Sequence, residues 1–263
     1  MIIALVQAKT IWENVEANIK KIEKIISRYQ NVDLYLFPEM SVSGFSMNTD
    51  RFKEEGKNTV SRVMKMAAEY KTAVGIGWVK SGDILCENHY TIVTGEEELL
   101  DYTKIHPFGH AEEDLHFAGG RQIKKCQYKG FNIGVQICYD LRFGDVFSMA
   151  AEDTDLVVVP ANWPAVRAEQ FECLLRARAI EHQIYVAGVN CAGNVGGIYY
   201  SGDSDLFNPE GARCKKLLVD EMKECAEEKV FIYHIENDIR KFREAFPVRQ
   251  DRVAINDIHN GEM

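Results

Sequence analysis

The stretch FNIGVQICYDLRF, residues 131–143, joins an apolar strand pattern to a polar turn. Apolar side chains alternate with small or polar ones up to Ile137, which is the period of a β-strand with one face in a core. Cys138 ends this run and directly precedes Tyr139 and Asp140. Such a cysteine is either a small buried hydrophobe or a nucleophile placed at a strand end.

Strand and helix patterns alternate on both sides of this stretch. Strands are predicted at residues 2–7, 33–39, 72–79, 88–95, 99–106, 131–138, 155–160, 183–190 and 229–236, with another within 199–211. Helices are predicted at residues 15–29, 60–70 and 169–181, and a loop at 106–120. The alternation predicts an α/β architecture with helices covering the sheets. We expect a single domain over residues 1–263, with a C-terminal arm from about residue 243.

Composition argues against several classes of partner. The net charge of −9 disfavours a nucleic-acid partner, because phosphate binding needs a basic face. No apolar run approaches the roughly 20 residues of a membrane helix, and MIIALVQAKT lacks the basic start and cleavage site of a secretory signal. The seven cysteines show neither tight pairing nor zinc-like spacing. We therefore expect a cytoplasmic protein with free thiols and no bound metal.

Three polar residues follow strand patterns. Glu39 follows LYLFP, Lys104 follows LLDYT, and Cys138 follows FNIGVQI. In α/β sheets, ligands bind beyond the carboxyl ends of strands, so the three side chains can share one pocket. A lysine favours the thiolate of a nearby cysteine, and a glutamate can take and return its proton. On spacing alone, each of the three is more readily explained by packing, capping or solvation.

Three motifs resemble those of the nitrilase superfamily, the carbon-nitrogen hydrolases. LYLFPEMSVSGF resembles the glutamate motif of the family, YTKIHPF the lysine motif and GVQICYDLRF the cysteine motif, in the family's order and spacing. The segments at 157–193, 199–211 and 243–251 resemble the omega-amidase branch. The resemblance implies a four-layer α-β-β-α sandwich with mixed sheets flanked by helices, and a homodimer or higher homo-oligomer.

The resemblance also implies catalytic roles. Cys138 would be the nucleophile, Glu39 the general base and acid, Lys104 the oxyanion stabiliser, and the backbone N–H of Tyr139 a second oxyanion donor. A second glutamate is expected in the loop after the lysine. Of Glu112 and Glu113, the latter fits better because it directly precedes DLHF.

The activity implied is hydrolysis of the C–N bond of small linear amides, with ammonia released through a thioester and no cofactor required. Within the omega-amidase branch the substrates would be 2-oxoglutaramate and 2-oxosuccinamate. The alternatives are an N-carbamoyl amidase, an aliphatic amidase or a deaminated-glutathione amidase. A non-catalytic binding protein on the same fold is a further alternative.

Such 2-oxo acids carry a carboxylate, which a guanidinium can bind through two hydrogen bonds. Arg142 is the leading candidate, although it could instead pair with Asp140 or Asp145. Asn162 and Trp163 are expected to wall the pocket, although Trp163 would equally suit a core or a dimer contact.

Two further expectations concern neighbouring segments. Arg178 and Glu181, three residues apart on a predicted helix, are expected to pair. Members of the family often have proline at the position of Gly144. We expect the glycine to loosen the start of the following helix.

Overall fold

Sheets and helices alternate along the chain in the computed structural model, which describes residues 1–52, 56–222, 225–251 and 253. The helices are α1 (Val15–Arg28), α2 (Gly56–Tyr70), α3 (Gly144–Ala151), α4 (Ala168–His182) and α5 (Ile239–Ala245). The strands are β1 (Ile2–Gln7), β2 (Leu34–Leu36), β3 (Ala73–Lys80), β4 (Cys86–Val93), β5 (Glu98–Thr103), β6 (Phe117–Ala118), β7 (Lys125–Tyr128), β8 (Phe131–Val135), β9 (Leu156–Ala161), β10 (Tyr185–Asn190), β11 (Ala192–Val195), β12 (Ile198–Ser201), β13 (Asp205–Phe207), β14 (Lys216–Glu221) and β15 (Lys229–His234).

Local sequence explains how these elements begin and which face they bury. In α1, Ile19, Ile22 and Ile26 recur at helical spacing and are buried. The side chain of Asn14 accepts a hydrogen bond from the backbone N–H of Ala17 at 3.0 Å, which caps the helix. In β9, every residue is buried, as expected of a strand covered on both faces.

Two mixed sheets carry the fold. The first has the order β14-β15-β1-β2-β3-β4-β5, with β6 beside β4, and the second has the order β13-β10-β9-β8-β7. The inner strands β1, β2 and β3 run parallel, as do β8, β9 and β10. The hairpin of β11 and β12 stands apart from both sheets.

The buried clusters show the order of the layers. One cluster packs Leu5 and Leu36 of the first sheet against Val135 and Val158 of the second. A second cluster lies between the first sheet and helices α1 and α2, and a third between the second sheet and helices α3 and α4. The predicted α-β-β-α sandwich is therefore confirmed.

The structure differs from the sequence prediction near three site residues. Strand β5 ends at Thr103, so Lys104 lies beyond it and not within the predicted strand 99–106. Strand β8 ends at Val135, and Cys138 instead begins a 3₁₀ turn, Cys138–Arg142. Strand β2 ends at Leu36, so Glu39 lies on the loop after it.

Strand β7 was not predicted, because it is only four residues long. Strand β14 was not predicted either, because its apolar residues Leu217, Leu218 and Val219 are consecutive and exposed and show no alternation. For α3, the sequence indicated only a helix start near Gly144.

The predicted C-terminal arm is described only in part. Helix α5 ends at Ala245, and a 3₁₀ turn follows at Val248–Asp251. Gln183 donates a hydrogen bond to the carbonyl of Phe246 at 2.7 Å, which ties this segment to the end of α4. Residues 252 and 254–263 of the predicted arm lie outside the described residues. Among the helices that are described, none has the length and apolar character needed to span a membrane.

Candidate active site

A buried charged cluster forms where three loops meet. The Lys104 ammonium donates to Glu39 Oε1 at 2.7 Å and to Glu113 Oε2 at 2.8 Å. Glu39 and Glu113 are 1% and 0% exposed. One ammonium thus lies between two carboxylates that are far apart in the sequence.

Lys104 is held in its charged form. Burial alone would lower the pKa of its ammonium, but the charges of Glu113 and Glu39 outweigh burial and raise this pKa well above its usual range. The ring of Phe45 lies 5.3 Å from the ammonium and covers it. The Lys104 side chain therefore stays positively charged at neutral pH, next to two carboxylates.

Asn88 on β4 bridges the two carboxylates. Its side-chain N–H groups donate to Glu39 Oε1 and to Glu113 Oε1, both at 2.9 Å. Its own Oδ1 is buried without a hydrogen-bond partner in the described part of the chain. A buried acceptor without a hydrogen bond costs free energy. We infer that the two hydrogen bonds to the carboxylates hold the Asn88 side chain in place despite this cost. Asn88 was not predicted from the sequence as a site residue, although a polar residue within an apolar strand pattern is a usable signal.

The sequence left two candidates for the second glutamate, and the geometry separates them. Glu113 is fully buried, and its Oε2 also accepts from the backbone N–H of Phe108 at 2.6 Å. Glu112 is exposed and adopts a left-handed backbone conformation, with φ of 57°. Only Glu113 joins the charged cluster.

Cys138 lies next to this cluster in a strained backbone conformation. Its φ of 45° is in the left-handed region, which a residue with a side chain rarely adopts. Burial raises the pKa of the thiol well above its usual range, the Glu39 carboxylate adds to this, and the Lys104 ammonium opposes it. The sulfur thus interacts electrostatically with both Glu39 and Lys104.

Asp140 ties the cysteine turn to the lysine loop. Its carboxylate accepts from the backbone N–H of Ile137 at 3.1 Å, from the N–H of His106 at 2.8 Å, and from Tyr102 Oη at 2.8 Å. The His106 ring also contacts it at 2.8 Å. From its sequence context, Asp140 was predicted only as a possible partner of Arg142, and these anchoring contacts were not predicted.

Asn162 and Trp163 follow β9, and both border the cluster. The backbone N–H of Asn162 donates to Glu39 Oε2 at 2.9 Å, and its side chain donates to the Glu39 carbonyl at 2.8 Å. The Trp163 indole N–H donates to the carbonyl of Arg167 at 2.8 Å. Asn162 therefore holds the Glu39 loop, and Trp163 holds the turn that carries Arg167.

A cavity of about 250 Å³ opens onto these residues. Its lining includes Lys104, Cys138, Tyr139, Arg142, Asn162 and Trp163, and its remaining wall is mostly aromatic or apolar. Tyr139 directly follows Cys138, and the centroid of its ring lies 4.8 Å from the centroid of the Phe108 ring. The predicted site residues thus lie at the cavity or in the charged cluster beside it.

Arg142 makes contacts other than those considered from the sequence. Its guanidinium lies 4.6 Å from the centroid of the Trp163 ring and donates to Gln170 Oε1 at 2.7 Å. Across the described residues it forms no ion pair with Asp140 or Asp145. The alternative of an ion pair with either acid was therefore wrong.

The segment after the turn is supported by Arg178. It pairs with Glu181 at 2.9 Å, as predicted, and donates to the carbonyl of Leu141 at 3.3 Å. A side chain added at Gly144 would lie 3.2 Å from the Arg178 guanidinium. Glycine therefore leaves room for this guanidinium at the start of α3, where the sequence suggested only a looser helix.

Within the described ranges, no group of three or more His, Cys, Asp or Glu side chains is arranged to hold a metal ion. The chemistry available at the cavity is that of a thiol, an ammonium and two carboxylates. This set can carry out nucleophilic attack on a carbonyl carbon, proton transfer and stabilisation of an oxyanion.

Comparison with known proteins identifies carbon-nitrogen hydrolases and amidases as relatives. The family model described as carbon-nitrogen hydrolase matches residues 2–244. A protein of Escherichia coli (strain K12) named Omega-amidase YafV is 35% identical over 214 residues, covering 80% of this chain and 82% of that protein. A protein of Bacillus subtilis (strain 168) named 2-oxoglutaramate amidase is 29% identical over 202 residues, covering 74% of this chain and 77% of its own.

Solved structures agree with the fold. XC1258 from Xanthomonas campestris, described as a CN-hydrolase superfamily protein with an arsenic adduct in the active site, has a TM-score of 0.87 and 29% identity. The match covers 97% of this chain and 98% of that one. An amidase from Nesterenkonia sp. AN1 has a TM-score of 0.82 at 24% identity over 96% of this chain and 100% of that one, and it supports the fold alone.

Proposed function

The chain belongs to the carbon-nitrogen hydrolase family and is an amidase, and from that premise we propose that it hydrolyses the terminal amide of short 2-oxo acids through a thioester on Cys138. The observation that carries the proposal is the cavity on which Cys138 opens beside the buried pair of Glu39 and Lys104. Relatives named omega-amidase and 2-oxoglutaramate amidase support 2-oxoglutaramate and 2-oxosuccinamate as substrates.

In the first half of the reaction, Cys138 attacks the amide carbon while Glu39 accepts the thiol proton. The carbonyl oxygen becomes an oxyanion, which the Lys104 ammonium and the backbone N–H of Tyr139 stabilise. One such donor is worth roughly 10²–10³ in kcat. The C–N bond then breaks, and ammonia leaves with the proton that Glu39 held.

In the second half, water attacks the thioester carbon while Glu39 takes a proton from the water. The oxyanion forms at the same position, and the C–S bond breaks. The thiolate regains a proton from Glu39, and the carboxylic acid product leaves. Glu113 and Asn88 touch Lys104 and Glu39 respectively, so their role is to position the reacting groups.

The substrate's own carboxylate requires a cation at the cavity, because an unpaired charge is costly to bury against aromatic walls. The Lys104 ammonium donates two of its three N–H groups to carboxylates and is assigned to the oxyanion with the third, so it does not serve this purpose. Arg142 and Arg167 both line the cavity, and a guanidinium of this kind can supply the charge.

Ammonia release from a panel of amides tests the proposal. The panel contains 2-oxoglutaramate, 2-oxosuccinamate, a carbamoyl amino acid, a neutral aliphatic amide and deaminated glutathione. We expect the highest kcat/KM for the 2-oxo acids. Turnover of the carbamoyl compound with 2-oxoglutaramate untouched would reject the omega-amidase assignment, and a folded chain inactive on the whole panel would favour the non-catalytic alternative.

We also propose a cytoplasmic location and a homodimer or higher homo-oligomer. All seven cysteines are free, which suits a reducing compartment. Exposed apolar side chains occur on α3, on the 3₁₀ turn before α4 and on α4, at Met149, Val166 and Ile180, with exposed fractions of 60%, 87% and 48%. Such side chains are suited to contact with a second copy.

A further inference from the structure

Two arginines line the cavity, and their guanidinium groups are held differently. The Arg142 guanidinium stacks on the Trp163 ring and donates a hydrogen bond to Gln170. The Arg167 guanidinium lies 5.7 Å from the centroid of the Phe108 ring. It forms no hydrogen bond or ion pair with any residue that the structure describes.

A guanidinium carries five N–H donors in a planar fork, which a carboxylate matches through two parallel hydrogen bonds. The Phe108 ring covers one face of the Arg167 group and leaves its donors to other partners. Because Arg167 is only partly exposed and borders the cavity, a bound ligand can supply these partners. Arg142 has fewer donors to offer, since Gln170 already takes one.

The backbone of Arg167 is also fixed. The residue ends the 3₁₀ turn Ala165–Arg167, and its carbonyl accepts the indole N–H of Trp163 at 2.8 Å. The same Trp163 ring carries the Arg142 guanidinium on its face. The Trp163 indole therefore contacts the guanidinium of Arg142 and the backbone of Arg167. Because the Arg167 turn is already held, little further ordering of its backbone is required when a ligand binds.

We propose that Arg167, rather than Arg142, is the residue that binds the substrate's carboxylate and sets the preference for acidic amides. Arg142 instead positions Trp163 and closes the wall of the cavity. This inference rests on the proposed function, since it requires that the natural amide carry a carboxylate.

The test compares kcat/KM for 2-oxoglutaramate with kcat/KM for pentanamide, a neutral amide of the same chain length. The ratio of these two kcat/KM values is measured for the wild type and for three variants, Arg167→Gln, Arg142→Gln and His110→Gln. His110 is included because it also lines the cavity. We expect Arg167→Gln to lower the ratio by about 10- to 100-fold, the effect of losing hydrogen bonds to a charged group. Arg167→Lys keeps the charge and should restore part of the ratio.

Arg28→Gln serves as the matched control, because Arg28 pairs with Asp220 on the surface and its loss changes the net charge equally. Thermal unfolding of each variant separates a binding effect from loss of fold. Provided that the wild type hydrolyses 2-oxoglutaramate, either of two results overturns the inference. One is an unchanged kcat/KM ratio in Arg167→Gln. The other is a ratio that falls further in Arg142→Gln or His110→Gln than in Arg167→Gln. A wild type that leaves 2-oxoglutaramate untouched overturns the proposed function and this inference together.

Discussion

At the scale of single residues, Cys138 is surrounded by groups that keep its proton in place. Burial and the Glu39 carboxylate both raise the pKa of the thiol, and the Lys104 ammonium compensates only in part. The resting enzyme should therefore hold a thiol, which loses its proton to Glu39 only as the bond to the substrate carbon forms.

The first prediction concerns this proton. Because the pKa is raised, Cys138 should remain protonated below pH 9.0, the ordinary value for the group, and titrate only above it. The measurement is the ultraviolet absorbance of the thiolate against pH, taken as the difference between the wild type and Cys138→Ser. A thiolate signal that rises between about pH 6 and pH 8 would contradict the account.

The second prediction concerns Asn88. Replacing it with alanine removes a donor from both carboxylates, and a hydrogen bond to a charged group is worth about 1.5–3 kcal/mol. We expect Asn88→Ala to lower kcat about 10- to 100-fold, with KM changed much less, since Asn88 does not line the cavity. Steady-state kinetics give the two constants. Asn237→Ala, which removes an exposed amide that bonds to the carbonyl of Gly130, is the control and should keep the wild-type kcat.

At the scale of elements, the site depends on how short turns join the ends of strands. The motifs allowed Glu39, Lys104, Cys138 and Glu113 to be placed at one site from the sequence. The partners that hold them there, such as Asn88, were not found, because they lie on other elements and carry no local pattern. The 3₁₀ turn at Cys138–Arg142 was also missed, since the strand alternation continues through Ile137 although pairing stops at Val135.

The third prediction concerns the link between this turn and the lysine loop. In Asp140→Asn, an amide N–H₂ would face backbone N–H donors that the carboxylate now satisfies. We expect the free energy of unfolding to fall by about 1–3 kcal/mol and kcat to fall by more than the loss of folded protein explains. Chemical denaturation and kinetics on the folded fraction measure the two effects.

Asp145→Asn is the matched control for that experiment, because Asp145 is an exposed acid in the first turn of α3. It should retain both wild-type stability and wild-type kcat. Equal effects of the two substitutions would show that Asp140 has no special role in holding Cys138.

At the scale of the whole molecule, the layered fold follows from patterns that the sequence makes visible. Long apolar strands such as β9 and a helix such as α1 show clear periods, so the α/β class and the covered sheets were predicted from them. The face-to-face packing of the two sheets was expected only from the family resemblance. The pairing of β1 with β15, at opposite ends of the chain, depends on long-range contacts that no local period reveals.

The fourth prediction concerns assembly. We expect sedimentation equilibrium or light scattering at micromolar concentration to give at least twice the 29.9 kDa mass of the chain. The physical reason is the exposed apolar side chains of α4 and of the turn before it, including Val166 and Ile180. A mass equal to that of one chain across the accessible concentration range would contradict the proposed oligomer.

The central claim is that Cys138 carries the acyl group while Glu39 and Lys104 act on it. Its most direct test is acid quenching of the wild type during turnover of 2-oxoglutaramate, followed by intact-mass and peptide mass spectrometry. The account predicts an adduct equal to the substrate minus ammonia, located on Cys138 and absent from Cys138→Ala. An adduct on another cysteine, or undiminished ammonia release by Cys138→Ala, would contradict it.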